Sequence, residues 1–303
     1  IDCTFGQGGY SKKILENKNN NVLAIDRDKD TQKFAEELKR KHKDRFQFYN
    51  IKFSQLQDLE IKNDDLRGII FDLGYSLDQI KSSSKGLSFN SKGKLNMRMG
   101  INNFSANEVI SKMSEKNLVR IFKTFGEEKF SKQIVRKILE IRKNKVIKTE
   151  DLTKIIDNVK KYNKSRINKT TKIFQALRIF VNEEISELMN GLINAFNLIP
   201  VGGILAVVTF HSLEDKIVKF FFKNYSENKN SSRYIPHKDE SIKFFNLKQK
   251  KPIIPNLDEL KKNPPSRSAK LRYAIKINSK CEFDEFKKKF KYLTDVENLK
   301  FNK

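Results

Sequence analysis

An α/β fold, a Rossmann-like sheet interrupted by an all-helical insertion, is predicted by three features of this 303-residue sequence. The first eleven residues, Ile1 to Ser11, end a strand near Cys3, turn through Gly6, Gly8 and Gly9, and open a helix near Ser11. Two later apolar strands finish in an acid, at Asp26 and Asp72. Beyond about residue 95 the apolar spacing turns helical and stays so until Ile204–Phe210. Strand, glycine turn, helix, strand and acid is the order in which an open parallel sheet holds a nucleoside.

The elements follow in chain order. Val22–Ile25 is a four-residue apolar strand closed by Asp26. Phe34 and Leu38 lie at helical spacing within Asp30–Lys41, and Arg45–Tyr49 is the third strand. Leu66–Asp72 is the fourth. Ser105 and Glu108 form a capping box for a helix reaching about Phe122, and helical segments follow near Glu127–Arg142 and Thr149–Tyr162. One long helix, Thr170–Phe196, leads back to the strand Ile204–Phe210 through Pro200-Val-Gly-Gly203. Ser212 and Asp215 form a capping box for the next helix. Asn224–Asn263 is polar, lysine-rich and weakly patterned, so a surface loop is predicted there. Leu271–Lys276 alternates and is predicted as an edge or hairpin strand. Phe283, Phe286, Phe290 and Leu293 fall on one helical face of the tail, which favours core packing over RNA contact. The domain assignment is therefore a discontinuous sheet domain over 1–95 and 170–279, a helical insertion over 96–169 for substrate recognition, and a charged tail over 280–303.

Composition narrows the partners. Sixty-two Lys and Arg against 37 Asp and Glu leave a net charge of +25, which suits a polyanion, nucleic acid above all, although codon bias toward lysine accounts for part of it. Cys3 and Cys281 have neither metal-ligand spacing nor a disulfide pattern, pointing to a reducing, cytoplasmic setting without a metal. No stretch approaches the roughly 20 apolar residues of a membrane span. The chain begins inside a strand without Met, so residues before Ile1 are expected. The glycine spacing also discriminates among cofactors. A dinucleotide fingerprint needs a third Gly or Ala three residues after its second glycine, and position 11 is Ser. With no pyrophosphate to cradle, S-adenosylmethionine fits better than NAD.

Seven blocks appear in order: Thr4-Phe-Gly-Gln-Gly-Gly9, Phe71-Asp-Leu-Gly74, Asn96-Met-Arg-Met99, Phe125-Gly-Glu-Glu128, Phe174-Gln-Ala-Leu-Arg178, Phe210-His-Ser-Leu-Glu-Asp215 and Asn263 to Arg272. Together they resemble the bacterial 16S rRNA (cytosine-N4)-methyltransferase family, also called MraW, over residues 1–277. The resemblance implies a class I S-adenosylmethionine-dependent methyltransferase acting on a decoding-region cytosine of 16S rRNA in the assembled small ribosomal subunit. It also implies cofactor contacts at Gly8, Gly9, Tyr10, Asp26, Phe53, Asp72 and Gln79. Oligomeric state stays open, a homodimer included.

The chemistry asked of such a site singles out further residues. A cytosine amino group is a weak nucleophile because its lone pair is delocalised into the ring. A carboxylate or carbonyl accepting its N–H bonds localises that pair, so Asp72 or its neighbouring carbonyl is the candidate acceptor. Tyr75 is a candidate for stacking on the base. His211, ahead of a helix at a strand end, is either a catalytic substrate contact, orienting the cytosine or relaying its proton, or a hydrogen-bonded structural histidine. Arg178 is either an interior ion-pair partner or a phosphate contact. Arg267, Lys270 and Arg272 are candidates for RNA phosphates, with Lys270 and Arg272 sharing a strand face, or are solvated edge-strand charges that block aggregation. The basic run Arg136, Lys137, Arg142, Lys143 and Lys145 favours an RNA-facing insertion. Three positions depart from the family pattern: Tyr10 for a histidine, Asn96 for an aspartate, and Ser76-Leu77-Asp78-Gln79 for Ser-Ser-Pro-Gln. Two rivals follow. One is a catalytically weak assembly factor that binds rRNA, which measurable cofactor affinity argues against. The other is a DNA amino-methyltransferase, disfavoured because no Pro-Pro-Tyr motif follows Asp72.

Overall fold

Residues 1–3 sit at the centre of the sheet. In the computed structural model, which describes residues 1–61, 65–76, 79–80, 85–88, 93–100, 102, 104–160, 168–226 and 242–301, the Asp2 amide donates to Leu23 O (2.9 Å) and the Ile25 amide to Asp2 O (2.8 Å). On the other side, the Cys3 amide donates to Ile70 O (2.9 Å). This segment joins β1 (Val22–Ile25) and β2 (Phe46–Tyr49) to β3 (Gly68–Asp72), β4 (Ile204–Thr209), β5 (Phe245–Asn246) and β6 (Lys270–Lys276). The order is β2, β1, residues 1–3, β3, β4, β6, β5. Among the described strands, β6 alone runs against the rest. The order reverses between residues 1–3 and β3, which is where open α/β sheets place a ligand crevice at the strand carboxyl ends.

The helices are α1 (Gly9–Leu15), α2 (Gln32–His42), α3 (Ala106–Lys112), α4 (Glu115–Phe125), α5 (Ser131–Arg142), α6 (Thr149–Val159), α7 (Thr171–Asn182), α8 (Glu184–Leu198), α9 (Ser212–Asn224), α10 (Leu257–Lys262) and α11 (Asp284–Glu297). The chain divides into two compact units: Ile1–Gly74 with Glu187–Lys289, and Tyr75–Ser186 with Phe290–Lys303. No helix among the described residues is long and apolar enough to cross a membrane.

The first unit holds the whole sheet. Phe5, Leu15, Val22, Ala24, Ala35, Leu38 and Phe46 form one buried cluster, with Phe5 packed 5.6 Å from Phe46 and 5.3 Å from Phe48 between ring centroids. Phe196, Phe221, Phe245, Phe283 and Phe286 form an aromatic cluster with edge-on and stacked contacts. Such pairs add ~0.5–1.5 kcal/mol each beyond area burial. The apolar face of the tail is buried: Phe286 packs in this cluster, and Phe290 and Leu293, which belong to the second unit, are almost fully buried as well.

The second unit is helical. Four sequence expectations are corrected across the chain. The helix beginning after Ser105 is two helices, because Met113 is extended and Ser114 caps α4 by accepting from the Asn117 amide (3.2 Å). Ser114 lacks an acid three residues on, so it carries no capping-box signature. The single helix over Thr170–Phe196 is also two. Glu183 adopts φ 51°, ψ 39°, and its amide turns back to Phe180 O. Glutamate is a good helix former and apolar spacing persists on both sides, so this break leaves no local mark. Within Asn224–Asn263, residues 227–241 lie outside the described set, but β5 and α10 replace the predicted loop in the remainder. Finally, β6 is no edge: β4 pairs along its length, with β5 and the Ile253–Leu271 bridge on its other side.

Backbone approach inside the second unit depends on Gly126. A Cβ there would lie 2.4 Å from Lys172 O and 2.8 Å from Phe122 O, and Gln175 Nε2 donates to Phe125 O (3.1 Å) alongside. Gly126→Ala is expected to lower stability by ~1–3 kcal/mol through overpacking against backbone that cannot yield. Thermal denaturation checks this.

Candidate active site

Asp2 organises the turn. Its carboxylate is fully buried, accepts from Ser11 Oγ (2.7 Å) and the Thr4 amide (3.3 Å), and so ties α1 to the central strand. Burial pushes its pKa up despite these bonds. Between the two attachment points the chain must double back. Gly8 supplies this with φ +79°, and a Cβ there would lie 2.8 Å from the buried Phe5 ring. The Gly8 amide donates to Phe5 O (2.7 Å). A Cβ at Gly9 meets nothing within 4 Å, and Tyr10 is 37% exposed. Burial of its hydroxyl, then the charges of Asp72 and Asp2, raise the Tyr10 pKa.

Asp26 closes β1 at the same sheet end. Oδ2 accepts from the Gly6 amide (2.7 Å) and Oδ1 from the Asp28 amide (2.8 Å). Burial nevertheless pushes its pKa to about 6. Asn50 Nδ2 donates to Asp26 O (2.7 Å), holding the backbone of the acid in place. Phe53 opens a short 3₁₀ turn, Phe53–Asp58, half-buried and edge-on to Phe71 with centroids 5.3 Å apart. A glycine in α8 makes that position available: a Cβ at Gly191 would lie 2.6 Å from Phe53 Cδ2 and 3.3 Å from Phe71 Cε1.

Asp72 ends β3. Its amide donates to Thr4 Oγ1 (2.6 Å), fixing the end of the strand against the turn. Its Oδ1 is buried with no hydrogen-bond partner. Burial, followed by the charges of Asp2 and Glu214, pushes the Asp72 pKa to about 7. A buried carboxylate oxygen without a partner is costly, and such groups mark places where a ligand supplies the missing donor.

At the end of β4 the structure shifts the predicted cap by one residue. His211 remains extended (φ −133°, ψ 163°), so it, not Ser212, is the N-cap of α9, and Glu214, not Asp215, completes the box. Glu214 Oε2 accepts from the amides of Phe210 (2.8 Å) and His211 (3.2 Å). His211 Nδ1 accepts from the Glu214 amide (3.4 Å), and Nε2 lies 2.9 Å from Glu214 Oε1. Both ring nitrogens therefore face Glu214. Asp215 is left to accept from Arg272 Nε (2.7 Å) and Lys270 Nζ (3.0 Å). Burial opposes its charge, but those two bonds prevail and hold its pKa low. Lys270 and Arg272 share a face as predicted, yet that face is turned to Asp215. Arg267 is exposed in the turn Pro264–Ser268.

Other candidates lie in the second unit. Gln79 Oε1 accepts from the Ser76 amide (2.9 Å), while Leu77 and Asp78 lie outside the described residues. Arg178 is buried, pairs with Glu184 (2.8 Å), and lies 4.7 Å from the ring centroid of the exposed Tyr75. Of its two predicted roles, the interior ion pair is the one observed. Asn96 Oδ1 accepts from Arg98 Nε (2.8 Å). Nearby, the buried Asn182 accepts from the Met99 amide (2.8 Å) and donates to Met97 O (2.9 Å), anchoring this block to α7. Much of the basic run is engaged internally. Arg142 donates to Ile110 O and Met113 O (2.8 Å each), and Lys145 pairs with Asp151 (2.6 Å).

Sequence reasoning passed over Asp2, Thr4, Asn50, Gly191 and Glu214. An acid inside an apolar strand was the available signal for Asp2, since such a group is tolerated only when partnered. Thr4, Asn50 and Gly191 act by approach between segments far apart in the chain, which has no local pattern, and Glu214 lies one residue out of phase with the Ser212–Asp215 box that the sequence suggests.

The reversed strand order, the glycine turn and the two acids at the ends of the strands that flank residues 1–3 define a Rossmann-like methyltransferase domain. The chain belongs to the MraW methylase family, whose family model matches residues 1–277. It is 42% identical over 282 residues, 91% of this chain and 92% of the relative, to "Ribosomal RNA small subunit methyltransferase H" of Rickettsia bellii (strain OSU 85-389). It is 40% identical over 285 residues to the protein of that name from Ehrlichia canis (strain Jake), covering 91% and 93% of the two chains. Over 286 residues it is 40% identical to that from Orientia tsutsugamushi (strain Ikeda), covering 92% of each.

Proposed function

We propose that this chain methylates N4 of a decoding-region cytosine in 16S rRNA, using S-adenosylmethionine, on the small ribosomal subunit in the cytoplasm. The observation that carries the reading is the Asp72 carboxyl at the end of β3, with one oxygen buried and unpartnered. The residues of the crevice fit the cofactor. Asp26 spends one lone pair of each oxygen on backbone amides and keeps the others for two ribose hydroxyls. Gly8 and Gly9 bring backbone close without side chains, which suits the amino-acid end, and Tyr10 borders it. Phe53 offers an aromatic face for adenine. When bound, S-adenosylmethionine supplies an electrophilic methyl group on a cationic sulfur.

Asp72 performs the protein's part of the chemistry. Its carboxylate would accept an N–H bond of the exocyclic amine, return the lone pair to that nitrogen, and take the proton as the N–C bond forms and the methyl–sulfur bond breaks with its electron pair left on sulfur. The remaining task is positioning, which the Thr4 bond to the Asp72 amide serves. The target base must be unstacked to reach this depth. His211, paired with Glu214, positions the start of α9.

Methyl transfer from labelled S-adenosylmethionine to purified small subunits, with nucleoside mass spectrometry, tests the reading. N4-methylated cytidine supports it; label on another nucleoside removes the substrate; absence of cofactor binding removes the enzyme. A second prediction concerns the adenine face. Gly191→Ala is expected to displace Phe53 and weaken S-adenosylmethionine binding about tenfold, since overpacking costs ~1–3 kcal/mol. Adding Phe53→Leu should relieve the clash and restore folding stability but not affinity, as calorimetry and thermal melting would separate.

A further inference from the structure

A cavity of about 300 Å³ lies in the first unit, away from the strand carboxyl ends, walled by the second half of α9, the segment after β5, and β6. Lys219, Phe222 and Lys223 line it from α9; their i, i+3, i+4 spacing puts them on one helix face. Lys250 and Lys251 line the opposite wall, and Tyr273 contributes from β6. Among the described lining residues there is no carboxylate. Four lysines around a partly aromatic hollow give it a positive potential that favours a bound anion.

The walls are held in place by a rivet. Arg272 spans the cavity: Nε donates to Asp215 Oδ1 (2.7 Å) and Nη1 to Lys250 O (3.2 Å). The guanidinium thus fastens the segment after β5 to the first turn of α9, and the lysine side chains are displayed from fixed backbone. Lys219, Lys223, Lys250 and Lys251 are exposed, whereas Phe222 is buried and Tyr273 half-buried. Phe222 lies seven residues beyond Asp215, roughly 10 Å along the helix axis at ~1.5 Å per residue. Neither Asp72 nor any residue of the glycine turn is among its lining residues.

We propose that this cavity seats a single-stranded nucleotide of the substrate RNA outside the catalytic crevice, with its base against Tyr273 and flanking phosphates held by Lys219, Lys223, Lys250 and Lys251. Single-stranded nucleic acid is bound in this manner elsewhere, by stacking on an aromatic side chain beside cations that track the backbone. The size is at the lower bound of small-ligand pockets, ~300 Å³, which suits one nucleotide rather than a larger group. The proposal rests on the rRNA-methyltransferase reading, because the docked nucleotide belongs to that substrate. Its contribution is to substrate affinity and register, and cofactor binding is independent of it.

The test uses the full chain with all four lysines changed to serine, and a second variant with all four changed to arginine. Methyl transfer to small subunits is measured together with binding of a short single-stranded RNA oligonucleotide across a salt series. The serine variant should raise KM for the subunit about tenfold at unchanged kcat and unchanged S-adenosylmethionine affinity. Its slope of log affinity against log salt should fall by ~0.7 for each lost phosphate contact. The arginine variant should retain both properties. Tyr273→Leu should weaken oligonucleotide binding without altering the slope. A serine variant with wild-type KM and slope overturns the proposal while leaving the methyltransferase reading intact. Loss of adenosine monophosphate or inorganic phosphate binding with RNA binding unchanged overturns it in favour of a small-anion site. Should the wild type bind oligonucleotide through these lysines yet fail to methylate subunits, the substrate reading falls and the assignment of the bound nucleotide to that substrate falls with it.

Discussion

Asp72→Asn is expected to reduce methyl transfer by ~10²–10⁴-fold, the usual contribution of a positioned proton acceptor. The same change should stabilise the protein at neutral and alkaline pH. Burial pushes the Asp72 pKa to about 7, well above the ~3.9 of an unfolded aspartate. The folded protein therefore holds a proton that the unfolded chain releases. Stability associated with this group is fully present below pH ~4 and is lost as pH rises toward 7. Asparagine has no charge to bury, so the variant's melting temperature should exceed the wild type's by an amount that grows between pH ~4 and 7 and is constant above. A residue with a merely structural role would lose stability and activity together. Opposite signs for the two effects identify a functional carboxylate kept at a cost to the fold. Cofactor binding gives a further readout. A cation near Asp72 favours its ionised form, so S-adenosylmethionine affinity should rise with pH through about 7 in the wild type and be flat in the variant. An Asp72→Asn enzyme with unchanged turnover would remove the proton-acceptor role.

Gly8→Ala is expected to have the second largest effect. The residue stands at φ +79°, where an L side chain costs ~1–2 kcal/mol, and its Cβ would lie 2.8 Å from Phe5 Cε2 and 2.9 Å from Cζ. Phe5 is 2% exposed and packs on Phe46 and Phe48, so its ring has little room to yield. Strain and overpacking together predict a loss of ~2–4 kcal/mol in stability. They also predict a shifted turn, weakening S-adenosylmethionine binding by about tenfold or more. Gly9→Ala is the control: a Cβ there meets nothing within 4 Å, so its stability should fall far less. Equal losses in the two variants would mean that the turn tolerates a side chain at Gly8.

How much of this site was legible depended on whether a residue acts locally or across the sheet. Gly8, Asp26 and Asp72 were legible because a glycine turn and strand-ending acids are patterns along the chain. Ser105 was found as a cap through its acid three residues later, whereas Ser114 lacks that partner and was missed. The cap before α9 was misplaced by one residue because Ser212-Leu-Glu-Asp215 fits the local pattern well. The backbone of His211 nevertheless stays extended from β4, so the helix begins after it. Lys270 and Arg272 read from the sequence as one charged strand face, open to RNA phosphates or to solvent, and charge along a strand does not say what else faces it. Asp215, 55 and 57 residues away respectively, does.

The sequence by itself determined the α/β class, the glycine turn and the acids at Asp26 and Asp72. Each of these follows from hydrophobic period or from a residue type whose backbone preference is intrinsic. Tertiary structure alone decided that Asp2 is the buried anchor of the turn, that Gly191 makes room for Phe53, that Glu183 breaks a helix and that Arg272 closes the basic cavity. Those outcomes depend on distances between segments far apart in the chain, and a side chain's pKa, partner or free space is set by whatever packing brings beside it.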